Sequence, residues 1–290
     1  MYKKLGKIAF FLIFSLGLVS FGTKVQAQAN NISSNNNKTN LLSANTAMST
    51  SLQLNKDYVG DGYVQVRYSN SSDKRMKVSV KKDDRVYYYD FDGKGQYENY
   101  PLQMGNGKYI VTLLQNTQGK EYVEVEKWNI DAEIKDSSSV YSISNKVVNF
   151  DKAVETVSKA AALTEGISSD DKKVEVIYNY LISNVKYDYD KLNAVQAGYL
   201  PDIDSTVNSG KGICYDFSAT FAGMLRSVGV PTKVVMGYSN NTKGYHAWNE
   251  VYLNGKWLVV DTSADSQAKE AGAKFSMYKI SDNYQKEKEY

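Results

Sequence analysis

Tyr245-His246-Ala247-Trp248-Asn249-Glu250-Val251-Tyr252-Leu253-Asn254-Gly255-Lys256-Trp257-Leu258-Val259-Val260-Asp261 reads as a β-hairpin. Side chains alternate along both arms, and Asn254-Gly255 is the dipeptide that favours a two-residue turn between strands. That turn sets Leu253 opposite Lys256. Carried along the ladder, the same register sets Asp261 opposite Trp248 and His246 opposite Ser263. His246 and Trp248 share a face because strand side chains alternate with period two. Asp261 then lies on the face of His246 at the diagonal position, about 7–8 Å away at the backbone and within reach of an imidazole. A slip of one residue would send the two side chains to opposite faces.

Upstream lies Gly210-Lys211-Gly212-Ile213-Cys214-Tyr215-Asp216-Phe217. Cys214 and His246 are the one cysteine and the one histidine among 290 residues. Phe217, Phe221, Met224, Leu225 and Val228 fall on one face of a helix beginning at or beside Cys214. Gly229 ends that helix and Pro231 prevents its continuation. Free backbone N–H groups at a helix start stabilise negative charge on a sulfur placed there. Gly210 and Gly212 would let the preceding loop approach a substrate backbone closely, and the Cys214 N–H could serve as one oxyanion donor. Taken singly, each residue has a plainer role: a packed thiol, a sheet histidine, a solvated strand end. Together they form the set of a thiol nucleophile, its base and the group that orients the base. A metal centre fits poorly, since one histidine and one cysteine do not make a usual zinc set.

Residues from about 170 to 265 resemble the transglutaminase-like superfamily, which shares the papain-like fold. The resemblance is carried by Gly210-Lys211-Gly212-Ile213-Cys214, Leu225-Arg226-Ser227-Val228-Gly229-Val230-Pro231, Val234-Val235-Met236-Gly237-Tyr238, His246-Ala247-Trp248-Asn249-Glu250-Val251 and Trp257-Leu258-Val259-Val260-Asp261-Thr262. A helix ending in Val185-Lys186-Tyr187-Asp188 fits the same pattern. The resemblance implies Cys214 as nucleophile, His246 as general base and acid, and Asp261 as orienter. It also implies an α+β core of helices packed on an antiparallel sheet. The second oxyanion donor is open: Tyr187 is a candidate, and a core tyrosine is its plainer role. Trp248 would wall the site beside His246 or pack in the core.

The rest of the chain divides by composition. Lys3, Lys4 and Lys7 precede an apolar run from Ile8 to Gly22, and Val25-Gln26-Ala27 offers small residues for cleavage, so residues 1–27 are expected to be a secretory signal peptide. The run is short for a membrane anchor. Removing it takes four lysines and no acid from a formal +3, leaving −1 and no footprint for nucleic acid. Residues 28–51 are Asn/Ser/Thr/Gln-rich and read as a disordered linker. Residues 52–134 read as a small all-β sandwich, with the immunoglobulin-like type as one form it could take. Val64/Val66/Tyr68, Met76/Val78/Val80 and Val123/Val125 alternate with polar residues, and Asp61-Gly62, Asp92-Gly93, Gly105-Asn106-Gly107 and Gly119 supply turns. Tyr87, Tyr88, Tyr89, Tyr97, Tyr100, Tyr109 and Tyr122 are either strand formers or a sticky face for wall glycan or protein.

The transglutaminase-like domain is expected over 145–290. Val154, Val157 and Ala161 open its helical pattern. Val174, Ile177, Tyr178, Leu181, Ile182 and Val185 give a second helix, which Ser168 and Asp171 would cap. Residues 186–209 read as a loop. One cysteine rules out an internal disulfide, so the fold must stand on apolar burial. No cofactor and no metal are expected.

These readings converge on a secreted cysteine enzyme at the cell envelope. It would attack a protein or peptide amide through a thioester, with hydrolysis or cross-linking to an amine as the outcome. The alternative is a noncatalytic envelope-binding or scaffold module that keeps an unused triad.

Overall fold

The computed structural model describes residues 52–68 and 73–290. The signal-peptide reading of 1–27 and the linker reading of 28–51 lie outside the described residues. Among the described residues no helix is long and apolar enough to cross a membrane.

The N-terminal part is all-β. β1 (Leu52–Asn55), β2 (Tyr63–Tyr68) and β5 (Glu98–Pro101) form one antiparallel sheet in the order β1-β2-β5. β3 (Met76–Lys82), β4 (Arg85–Phe91), β6 (Gly107–Gln118) and β7 (Glu121–Ala132) form a second, in the order β4-β3-β6-β7. The alternation read from the sequence puts Val64 and Val66 of β2 against Val78, Val80, Val111 and Leu113 of the facing sheet, all fully buried. This is a sandwich. Tyr87, Tyr89, Tyr100 and Tyr109 are inside that core, while Tyr88 and Tyr97 are exposed. The tyrosines therefore act mostly as strand-packing residues.

The C-terminal part packs helices on an antiparallel sheet. Its helices are α1 (Val154–Leu163), α2 (Asp170–Asn184), α3 (Tyr189–Ala194), α4 (Ile203–Ser209), α5 (Cys214–Ser227) and α6 (Thr262–Glu270). The sheet is ordered β12-β11-β10-β13, from β12 (Lys256–Val260), β11 (Tyr245–Leu253), β10 (Thr232–Ser239) and β13 (Tyr284–Glu289). Phe217, Phe221, Met224 and Leu225 of α5 meet Val174, Ile177 and Leu181 of α2, and Val251 and Val260 of the sheet, with no exposed surface.

Four readings are corrected. The α2 cap is Ser169, whose Oγ accepts from Lys172 N at 3.4 Å, one residue later than the Ser168 box. Residues 186–209 are not a loop. They hold α3, α4 and the two-residue strand β8 (Lys186–Tyr187), which pairs in parallel with β9 (Lys211–Gly212). Asp188 and Asp202 cap the two short helices through Lys191 N and Ser205 N. Apolar periodicity is too short to register over six or seven residues, so the sequence pattern passed over these helices. Third, the space beside Gly210 and Gly212 is internal and does not face a substrate. A Cβ on Gly210 would lie 2.9 Å from the Asn184 carbonyl oxygen, and one on Gly212 2.7 Å from the Asp216 Cβ. Fourth, the return strand stops at Val260. Ser263 is therefore in α6 and does not face His246 across a ladder.

Two links join the parts. The buried Arg226 guanidinium donates to the carbonyls of Thr232, Ile143 and Tyr290, each at 2.8 Å. Burial lowers its pKa to about 9. The Tyr290 ring packs edge-on against Tyr87 and Tyr89 of the sandwich.

Phe221→Ala should remove a fully buried ring at the meeting of α5, α2 and the sheet. Chemical denaturation should report a loss of about 3–5 kcal/mol.

Candidate active site

The hairpin register is the one that the Asn-Gly turn demands. Leu253 pairs with Lys256 and Asn249 with Val260, and Asn254 and Gly255 have φ of 52° and 77°. Both turn residues are left-handed, as a type I′ turn requires. One step beyond Val260, the chain leaves the ladder and Asp261 becomes the cap of α6. Its Oδ1 accepts from Ala264 N and from Ser263 Oγ, each at 3.1 Å. Its Oδ2 lies 2.8 Å from His246 Nε2. The carboxylate thus serves a helix start and an imidazole at once.

Burial alone would push His246 down and Asp261 up, since both charged forms lose water. The pair overrides that. His246 is raised to about 10 despite its burial, by the Asp261 charge and hydrogen bond and by the Cys214 side chain beside the ring. Asp261 is held below the usual carboxylate range by His246, by the Ala264 N–H and by Tyr284. With Nε2 committed to Asp261, Nδ1 is the nitrogen left for the thiol.

Cys214 is the first residue of α5, and its side chain lies close enough to His246 to raise the imidazole pKa. The helix start is fixed by a buried carboxylate three residues on. Asp216 Oδ2 accepts from Ile213 N at 2.9 Å and pairs with Lys191 Nζ at 2.7 Å, while Oδ1 accepts from the Tyr199 hydroxyl. Lys191 belongs to α3, so the segment read as a loop anchors the helix that carries the thiol. Gly212 leaves the space that Asp216 fills.

Tyr187 comes to Cys214 through β8, which runs alongside β9. Burial, together with the nearby Cys214 side chain, raises the pKa of its hydroxyl. Trp248 stacks 6.2 Å from the His246 ring and is fully buried, so it both walls the histidine and belongs to the core with Val235 and Val259. Sequence reasoning missed Ser263, Asp216, Lys191, Tyr199 and Tyr284. Asp216 alone carried a signal: an acid three residues after a helix-start position. Among the described residues no cluster of His, Cys, Asp and Glu has the makings of a metal centre.

Residues 157–262 match the family model of the transglutaminase-like superfamily. The match is to this stretch alone, a little over a third of the chain. The matched stretch contains Cys214, His246 and Asp261. The UPF0252 protein MJ1282 of Methanocaldococcus jannaschii is 27% identical over 117 residues, 36% of this chain and 33% of that protein. The kyphoscoliosis peptidase of Mus musculus is 29% identical over 112 residues, 35% of this chain and 17% of that protein. The chain therefore spans a third or less of the length of these curated relatives. Among solved structures, the periplasmic domain of TgpA from Pseudomonas aeruginosa is similar at 12% identity and a TM-score of 0.37, over 76% of this chain and 95% of that one.

The signs of the two shifts fix the pH dependence of the transglutaminase-like domain. His246 is raised, so its contribution to folding is complete below 6.5 and is lost as pH rises through about 10. Asp261 is lowered, so its contribution is present above 3.8 and is lost as pH falls through its depressed value. His246→Ala strands a buried carboxylate and should cost about 3 kcal/mol near neutrality. Thermal melts of wild type and variant should converge towards both extremes of pH.

Proposed function

We propose that the chain is a cysteine acyl-transfer enzyme that attacks peptide or protein amides. The observation that carries this reading is the 2.8 Å His246–Asp261 pair, with the Cys214 side chain beside the same ring. In this reading His246 holds the proton as an imidazolium beside the Cys214 thiolate, and the thiolate adds to the amide carbonyl. The oxyanion forms beside the Cys214 N–H at the start of α5 and the Tyr187 hydroxyl that β8 brings there. His246 returns the proton to the leaving nitrogen as the C–N bond breaks and a thioester remains. His246 then takes a proton from water or from a primary amine, which attacks the thioester and frees Cys214. Water makes the enzyme a peptidase or amidase; an amine makes it a cross-linking transglutaminase. Asp261 keeps the imidazole oriented and its positive form stabilised throughout.

The expected leader over residues 1–27 adds secretion to this reading and puts the substrate at the cell envelope. The name of the mouse relative supports peptide hydrolysis as one outcome. A second reading, a noncatalytic envelope module with an unused triad, is favoured by one observation. Cys214 is 9% exposed and His246 5%, so the pair is largely covered.

Iodoacetamide at pH 6 separates the two readings. An activated Cys214 should react on the order of tenfold faster than a free thiol, and His246→Ala should remove that advantage. A rate no faster than a free thiol would sink the catalytic reading.

Incubation with a peptide library and a labelled amine, followed by mass spectrometry, tests the reaction itself. New peptide N-termini mark hydrolysis; amine adducts with ammonia released mark transfer. Neither product should appear with Cys214→Ala.

A further inference from the structure

We propose that Tyr284 is a positioning residue for the Asp261–His246 pair, its hydroxyl holding the carboxylate oxygen that serves the imidazole and tying it to the loop between β10 and β11. The proposal deepens the acyl-transfer reading and rests on it for its consequence in catalysis. It stands on geometry that exists whatever the reaction.

The Tyr284 hydroxyl donates to Asp261 Oδ2 at 3.1 Å, the same oxygen that lies 2.8 Å from His246 Nε2. Packing does not account for it. The Tyr284 ring lies 5.1 Å from the Trp248 ring and beside Val235 and Val259, an apolar setting in which phenylalanine would serve equally well. The hydroxyl is the part that needs a reason, and it meets the one carboxylate that faces the histidine. Ser239 and Asn241 also lie beside this hydroxyl, and both lower its pKa. Asn241 N donates in turn to Ser239 Oγ at 3.1 Å, and Asn240 N donates to the Asn283 carbonyl at 2.9 Å. The loop leading into Tyr245 and His246 is thereby clasped by the strand that carries Tyr284.

The chemistry follows from shared lone pairs. A carboxylate oxygen that accepts from a second donor holds less charge for the first. Tyr284 should therefore loosen the hold of Asp261 on the imidazolium and make His246 a better proton donor to a leaving amine. The charged and titratable groups around the histidine are Cys214 from α5, Asp261 at the α6 cap and Tyr284 from β13. Tyr187 faces the sulfur from β8. Asp265 of α6 lies next outward, paired with Lys279 and with the Tyr178 hydroxyl.

A single histidine makes the test direct, because one imidazole signal reports it. The experiment is an NMR pH titration of histidine-labelled protein in a Cys214→Ala background, which removes the thiol and any dependence on activity. Tyr284→Phe should raise the His246 midpoint by roughly half a pH unit or more. Ser239→Ala, which weakens the outer end of the same chain, should move it the same way by less. In an Asp261→Asn background, Tyr284→Phe should have no effect on the midpoint. With Cys214 restored, Tyr284→Phe should lower kcat and leave KM unchanged. A folded Tyr284→Phe protein with an unmoved midpoint overturns the proposal, as does a shift that survives Asp261→Asn. If Tyr284→Phe does not fold, an unmoved midpoint in Ser239→Ala overturns it. A shifted midpoint in a protein whose Cys214 proves inert would instead leave Tyr284 in place and defeat only the acyl-transfer reading.

Discussion

The carboxylate of Asp261 is fully buried and ionised, and the site around it follows from that. An ionised carboxylate out of water costs several kcal/mol unless its lone pairs are met. Asp261 meets them with four donors: the Ala264 N–H, the Ser263 and Tyr284 hydroxyls and the His246 ring. The four come from three demands of the fold. The Ala264 N–H and Ser263 belong to the start of α6, His246 to β11, and Tyr284 to the last strand. One charge therefore fixes where a helix begins, which way an imidazole faces and where the C-terminal strand lies.

Asp216 plays the corresponding part for the nucleophile. It is buried too, three residues into α5, and takes the Ile213 N–H, the Tyr199 hydroxyl and the Lys191 ammonium. Cys214 is thus held at a helix start that α3 and the Tyr199 segment pin from outside. Two buried acids, each shared between a helix start and a side-chain partner, hold the thiol and its base in relative position.

Much of this was legible beforehand, for local reasons. Asn254-Gly255 sets a turn that sets a register, and the register puts Asp261 on the side of His246. Phe217, Phe221, Met224 and Leu225 recur at helical spacing, and so α5 begins where the cysteine stands. The illegible parts have equally definite causes. α3 and α4 are too short to show a period. β13 reads Tyr-Gln-Lys-Glu-Lys-Glu, an edge strand whose polar residues give no apolar alternation to detect. Ser263 looked like a strand residue because nothing in Val259-Val260-Asp261-Thr262-Ser263 marks the exit from the ladder except the capping preference of Asp261 itself.

The sequence by itself determined the hairpin register, the thiol-bearing helix, the sandwich alternation and the identity of the only thiol and imidazole available. These depend on neighbours a few residues apart, where turn chemistry and side-chain period act directly. Only the tertiary structure decided that Asp261 caps a helix while serving His246, that Tyr187 meets the thiol through β8, and that Tyr284 closes on Asp261 from 23 residues further along. Those meetings depend on where separate elements come to rest. Burial sets the demand there, and the nearest donor answers it regardless of its distance in the chain.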